Sequence, residues 1–257
     1  MQINREFSSE DIRENKYVFV DMHLHSSYSL DSSNKIKDII KKAKEKNIGI
    51  AITDHNSIGG CLEASKYDVF LIPGIEVTCK EGCHILVYFY DINDLKDFFN
   101  NKIKDNMYNE MLTRITQKEL IKITNEYRCL ISAAHPFGSG NSGIYKLKKY
   151  KDMKVVEGLN TSTSKNKNNR AISLKNKLYT AGSDAHIIQH IGNGLVGVKA
   201  KNVKDFLDGI KRNKNIIIGK EIDFLDKIKL NLYKEISLIK KMRLKDFIKN
   251  RLNHVIK

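Results

Sequence analysis

Almost every short β-branched run in this chain ends in side chains that bind protons or metals, and that regularity limits the possible folds more than any other feature. Runs with strand character lie at 17–25, 49–53, 69–73, 84–90, 130–134, 155–159 and 179–181. Longer amphipathic stretches separate most of them, at 33–47, 58–66, 92–127, 142–150 and 166–177, the third being long enough for two helices. Repeated strand-then-helix order predicts an α/β fold with a parallel sheet or a closed β/α barrel. A barrel gathers its working groups at the C-terminal ends of its strands.

Asp21, His23 and His25 alternate along the first strand and so share one face. Asp54 and His55 close the second, Glu76 lies just beyond the third, His135 ends the fifth, Glu157 and Asn160 the sixth, and Asp184 and His186 the seventh. His84 instead begins its strand. The connection at 78–83 is too short for a crossover helix, so these two strands should run antiparallel and return His84 beside Glu76. A single histidine on an apolar strand is more often an ordinary core or surface residue than a ligand. Here His23, His25, His55, His84, His135 and His186 are expected on one rim with Asp31, Glu76 and Asp184. Nine such donors without a cation would set carboxylates against one another, whereas divalent metals neutralise them and use the imidazole lone pairs, so the expectation is a multinuclear metal site. His190 and His254 keep the ordinary reading.

The 257 residues suit one large domain, or one domain with an appendage, and 41 % hydrophobic content excludes a largely disordered chain. No apolar run reaches the roughly 18 residues of a membrane span. The first residues lack the layout of an export signal, and a cytoplasmic protein is expected. Cys61, Cys79, Cys83 and Cys129 then read as reduced structural thiols. Cys79-x3-Cys83-His84 has the donors of a zinc site, but nothing downstream completes one. Lys and Arg number 45 against 30 Asp and Glu, a net charge of +15. That excess invites a nucleic-acid partner, although lysine is abundant along the whole chain. It concentrates at 146–154, at 165–177 with five bases and no acid, and at 237–257 with seven bases and one acid.

The series Asp21-Met22-His23-Leu24-His25-Ser26, Leu30-Asp31-Ser32, Thr53-Asp54-His55-Asn56, Pro73-Gly74-Ile75-Glu76, His84, Ala134-His135-Pro136-Phe137, Glu157-Gly158-Leu159-Asn160 and Gly182-Ser183-Asp184-Ala185-His186 resembles, in order, the motifs of the PHP (polymerase and histidinol phosphatase) superfamily. The match runs over 17–197. The resemblance implies a distorted (β/α)7 barrel and metal-dependent hydrolysis of phosphate esters through a metal-activated hydroxide. It implies three divalent ions, of manganese, zinc or iron: one held by His23, His25, Glu76 and Asp184, a second by Glu76 with His84 and His135, a third by Asp31, His55 and His186. His23, His25, Glu76, His135, Asp184 and His186 would then carry catalysis. Asp21 and Asp54, next to ligand histidines, are expected to accept a second ring N–H from them, the alternative being plain strand-end caps.

Lys165, Lys167 and Arg170 leave the rim just after the sixth strand. Either they grip a phosphate, with Arg170 the best candidate and Asn160 nearby, or they form a solvated helix start. A short C-terminal extension at 191–220 should close a phosphoesterase domain spanning 1–220, as a strand and a helix. The tail, 221–257, is basic and amphipathic, with Ile228, Leu232, Ile236 and Ile239 at helical spacing. That face is expected to pack on the barrel or on a second subunit as a homo-oligomer, the alternatives being an anionic membrane or nucleic acid. Only about 50 residues lie between His84 and His135, too few for an inserted domain. The resemblance is closest to small phosphoesterases that act on nucleotides, as nucleoside 3′,5′-bisphosphate phosphatases or 5′-to-3′ exonucleases. A histidinol-phosphatase-like enzyme and a non-catalytic metal-stabilised scaffold are the alternatives.

Overall fold

The computed structural model describes residues 3–6, 16–138 and 153–255, with side chains described as far as 242 in the last helix. The helix expected at 142–150, most of the basic stretch 146–154 and the side chain of His254 lie outside the described residues.

In chain order the elements are β1 (Ile3–Asn4), β2 (Val18–Leu24), α1 (Ile36–Lys46), β3 (Gly49–Ile52), α2 (Gly59–Ala64), β4 (Gly74–Thr78), β5 (His84–Phe89), α3 (Ile92–Phe98), β6 (Met107–Asn109), β7 (Leu112–Thr113), α4 (Gln117–Thr124), β8 (Cys129–Ala133), β9 (Val155–Asn160), α5 (Lys165–Ile172), β10 (Leu178–Gly182), β11 (Gly194–Val198), α6 (Val203–Lys211), β12 (Asn215–Gly219) and α7 (Phe224–Val255). Local chemistry sets several boundaries. In α1 the buried Ile36, Ile39, Ile40 and Ala43 repeat at helical spacing, and Asn47 stops the helix in the left-handed region at φ 53°. Thr116 and Glu119 form a capping box on α4.

The fold is mixed α/β. Its hydrogen-bonded ladders form two five-stranded sheets, β1-β12-β11-β2-β3 and β10-β9-β8-β5-β4, rather than one closed barrel. The division originates in β2, whose first half, Val18 to Val20, pairs antiparallel with β11. Its far end turns to the other sheet, where Leu24 bridges Ala185 and Asp184 N–H donates to His23 C=O at 2.7 Å. On the opposite side the sheets meet at two more single bridges, Ile50 with Leu71 and His55 with Glu76. β2–β3, β8–β9 and β9–β10 are parallel, and β4–β5–β8 is antiparallel, as the short connection before His84 predicts.

Four expectations need correction. The strand expected at 69–73 is only the isolated bridge at Leu71, and Glu76 lies inside β4, where its face is fixed by the ladder. A small hairpin, β6–β7, interrupts the helical stretch 92–127. The C-terminal extension adds a second strand, β12, and draws β1 alongside it. The apolar face of the tail does not pack on the globular body: Leu225, Ile228, Leu232, Ile236, Ile239 and Met242 are solvent-exposed, Leu225 and Leu232 by 65 % and 61 %. The opposite face of α7 lies across the site. Ser237 is buried against Ser33 Oγ at 3.0 Å, and Lys241 Nζ donates to the carbonyls of Ser27, at 2.8 Å, Ser29 and Ser32. Among the described residues no helix is long and apolar enough to cross a membrane.

Candidate metal centre

Alternation along β2 puts the rings of His23 and His25 on one face, with their Nε2 atoms 3.2 Å apart. Two imidazole nitrogens that close either share one proton or turn both lone pairs to one cation. Glu76 Oε2 stands 3.4 Å from each, and Asp184 Oδ1 stands 3.6 Å from His23 Nε2 and 3.3 Å from His25 Nε2. Ligands in a tetrahedron of bonds about 2.1 Å long are about 3.4 Å apart. All five separations fall close to that edge.

The other carboxylate oxygen of Glu76, Oε1, accepts from His84 Nδ1 at 3.0 Å and lies 3.5 Å from His135 Nε2. Asp31 Oδ2 is 2.9 Å from His186 Nε2 and 3.6 Å from His55 Nε2. Donor groups within reach of a single ion include His23, His25 and Asp184; His23, Glu76 and His135; His55, Glu76 and His84; and His25, Asp31, His55 and His186. The structure therefore brings together all nine residues singled out from the sequence. Two of their oxygens, Asp31 Oδ1 and Glu76 Oε2, are buried and take part in no hydrogen bond. Glu76 Oε2 has ring nitrogens near it, His55 Nδ1 at 3.0 Å among them; a buried carboxylate oxygen outside any hydrogen bond is costly, and a divalent cation is the natural complement of this donor set.

Backbone geometry is unusual at the same place. His135 and Asp184 adopt positive φ, 28° and 53°, a region that non-glycine residues enter at a cost. Electrostatics separates the histidines. Burial, then the charge of His186, lowers His25 to about 4, and burial lowers His55 to about 3. Burial also opposes charge on His23, but Glu157, Glu76 and Asp184 outweigh it and hold that imidazole well above its usual value. Asp31, Glu76 and Asp184, despite burial, are held well below the carboxylate range, chiefly by His186, His55 and the Lys234 ammonium respectively.

The carboxylates expected to fix the ring tautomers do something else. Asp21 accepts backbone N–H groups of Ser183, Gly192 and His23 at 2.9, 2.8 and 3.3 Å, and Asp54 accepts Ser26 N–H and Oγ–H at 2.6 and 2.7 Å. Neither touches a ring nitrogen, because the oxygens of both are taken up by these backbone and hydroxyl donors. Glu157 takes that place: its Oε1 is 2.9 Å from His23 Nδ1, and its Oε2 accepts His135 N–H at 2.7 Å. Its place with Asn160 at the end of the sixth strand, among the other rim residues, was the available signal. Asn160 is fully buried and donates to Glu157 Oε2 and Asp184 Oδ2 at 3.0 and 3.2 Å.

A cavity of about 320 Å³ opens over the centre, with His55, Glu76, His84, His135 and Asp184 on its floor. Ser162 to Ser164 and Lys167 form one wall, and Lys227, Leu230, Asn231 and Lys234 of α7 form its roof. Lys167 is thus the member of the 165–170 group that lines it. Lys165 is exposed and lines a separate cleft with Arg5, and the Arg170 guanidinium stacks over the Phe137 ring, 4.4 Å from its centroid. His84 turns to Glu76, leaving Cys79, Glu81 and Cys83 as a separate trio at the preceding turn.

Comparison with known proteins agrees with this architecture. A 64-residue stretch is 47 % identical to DNA polymerase III subunit alpha of Borreliella burgdorferi, covering 23 % of this chain and 6 % of that one. Endonuclease Q, solved in complex with a 27-mer duplex carrying an abasic lesion, superposes with a TM-score of 0.66 at 23 % identity, over 80 % of this chain and 60 % of that one. A two-domain Bacteroides vulgatus protein containing a predicted PHP-like metal-dependent phosphoesterase gives 0.58 at 14 % identity, over 91 % and 74 %. The chain spans less than half the length of the curated relatives it matches, 6 % and 45 %. The PHP domain family model matches residues 21–222, the whole span that carries the nine donors, and the chain belongs to that family.

Proposed function

We propose that the protein hydrolyses phosphate esters of nucleotides or of short oligonucleotide ends, using divalent ions held by the nine donors. The observation that carries this reading is the five-edged cluster of His23, His25, Glu76 and Asp184, with separations of 3.2 to 3.6 Å, in which the buried Glu76 Oε2 makes no hydrogen bond. The assignment of ligands follows the resemblance: His23, His25, Glu76 and Asp184; Glu76, His84 and His135; Asp31, His55 and His186. Ions bound there would supply a water of lowered pKa and polarise a phosphoryl oxygen. Imidazole with carboxylate suits manganese, zinc or iron.

The chain's own groups account for the rest. Glu157 holds His23 with Nδ1 protonated, which leaves Nε2 as the free lone pair. Glu76 presents its two oxygens to two different groups of histidines and so couples them. The α7 roof narrows access to the centre, and a cavity of about 320 Å³ is at the small end of ligand sites, sized for a mononucleotide or a strand terminus rather than a continuous duplex. In this reading residues 1–220 are the catalytic body and 221–257 its cover. The solvent-facing stripe of α7, with apolar residues three and four apart, is the surface through which a second copy would pair, and sedimentation of Leu232→Glu against the parent chain reads that directly.

The test is turnover by metal-reconstituted protein of a generic monoester, a generic diester, a nucleoside 3′,5′-bisphosphate, histidinol phosphate and a 5′-phosphorylated oligomer. Activity lost in His135→Ala and in Asp184→Ala, with an unchanged circular dichroism spectrum, is the expected result. A folded, metal-loaded protein inert on all five would leave the scaffold reading in its place.

A further inference from the structure

The terminal helix presents one continuous face to the site. Lys227, Leu230, Asn231 and Lys234 fall at three- and four-residue steps and roof the cavity, and Ser237 and Lys241 continue the same face. Both ends of the roof are fastened: Lys227 Nζ donates to Thr163 C=O at 2.8 Å, and Lys241 is bound to the loop that carries Asp31. Between them Lys234 is half-buried, and among the described residues it makes no hydrogen bond or ion pair. Its ammonium is nevertheless close enough to influence Asp184, Asp31 and His186 electrostatically. Lys167 faces the same space from the start of α5.

A cation held in a roofed cavity above a rim of metal donors is an odd feature if the site takes only one phosphate, because ions on the floor already supply the positive charge that group needs. Lysine is a compact point charge suited to a phosphate oxygen, and its flexible stem lets it close on a ligand after entry. We propose that Lys234, carried by the terminal helix, binds a second phosphate of the substrate, distinct from the one that reacts at the floor, so that α7 selects doubly phosphorylated substrates. Lys227 and Lys167 complete the cationic wall. The proposal rests on the phosphoesterase reading for the identity of the first phosphate.

Equilibrium binding by calorimetry separates the two. The probes are adenosine 3′,5′-bisphosphate and adenosine 5′-monophosphate, titrated into the manganese-loaded full chain and its Lys234→Met and Lys234→Arg variants. Lys234→Met is expected to weaken the bisphosphate at least tenfold more than the monophosphate, and Lys234→Arg to restore most of the difference. Equal weakening of both ligands, or none, overturns the clamp even if the enzyme turns over phosphate esters. Discrimination that persists in a protein without turnover overturns the phosphoesterase reading and leaves the clamp standing. Thermal melting of Lys234→Met guards against misfolding; if the variant melts early, Lys234→Gln with the same two probes decides by the same criterion.

Discussion

Glu157 Oε1 and His23 Nδ1 stand 2.9 Å apart, both fully buried, and that contact fixes which nitrogen of His23 faces the metal donors. The other oxygen of Glu157 receives the N–H of His135 and the amide of Asn160, so one carboxylate braces two sides of the rim. Glu157→Gln keeps the shape but puts an N–H where an acceptor is needed on one side. Metal affinity should fall about 10- to 100-fold, as for other carboxylates behind metal-binding imidazoles, read by competition with a chelating dye.

Metal uptake should release protons at neutral pH. His25, near 4, and His55, near 3, are already neutral there, whereas His23 and His135 are raised by neighbouring carboxylates despite burial and must lose their protons to bind. Affinity therefore rises with pH until both have titrated, then levels. Calorimetry in buffers of different ionisation enthalpy counts the protons. Zero release at pH 7 would contradict this assignment.

Asp54 gives a stability effect of defined sign. Burial raises its carboxyl to about 7, only partly offset by Ser26, against about 3.9 in the unfolded chain. The folded state thus holds a proton that the unfolded state loses between about pH 4 and 7. Stability of the metal-free protein falls with rising pH across that window, by on the order of 3 kcal/mol from this group. In Asp54→Asn that component of the slope should vanish, as urea denaturation at pH 4.5 and 7 in the presence of a chelator would show.

Gly182 sits against the backbone of His23. A Cβ there would lie 2.3 Å from His23 Cβ and 2.6 Å from its nitrogen, and the backbone of β2 cannot yield cheaply. Gly182→Ala should cost about 1–3 kcal/mol by denaturant unfolding and weaken metal binding in the same sample. Loss of stability with metal affinity intact would show that β2 and β10 adjust without moving the ring.

The donors were legible because their cause is local. Period-two alternation puts His23 and His25 on one face whatever surrounds them, and a connection of five residues, 79–83, forces β5 to return beside β4. Local pattern was silent on the closure of the sheets, since the split in β2 depends on β11 competing for its first half. It also misdirected the second layer: Asp21 and Asp54 lie within two positions of histidines in sequence, yet backbone N–H groups and the Ser26 hydroxyl take up their oxygens, and Glu157 arrives from a strand far along the chain.

By itself the sequence determined which strand-end donors share a rim and that the tail is a helix with two unlike faces, because both follow from backbone periodicity. Only the tertiary structure decided which face turns inward. Over most of the molecule apolar surface is buried, but above a rim of buried carboxylates and imidazoles a lysine-bearing face is the better complement, so Lys227, Lys234 and Lys241 point to the site while Leu225 and Leu232 point to water.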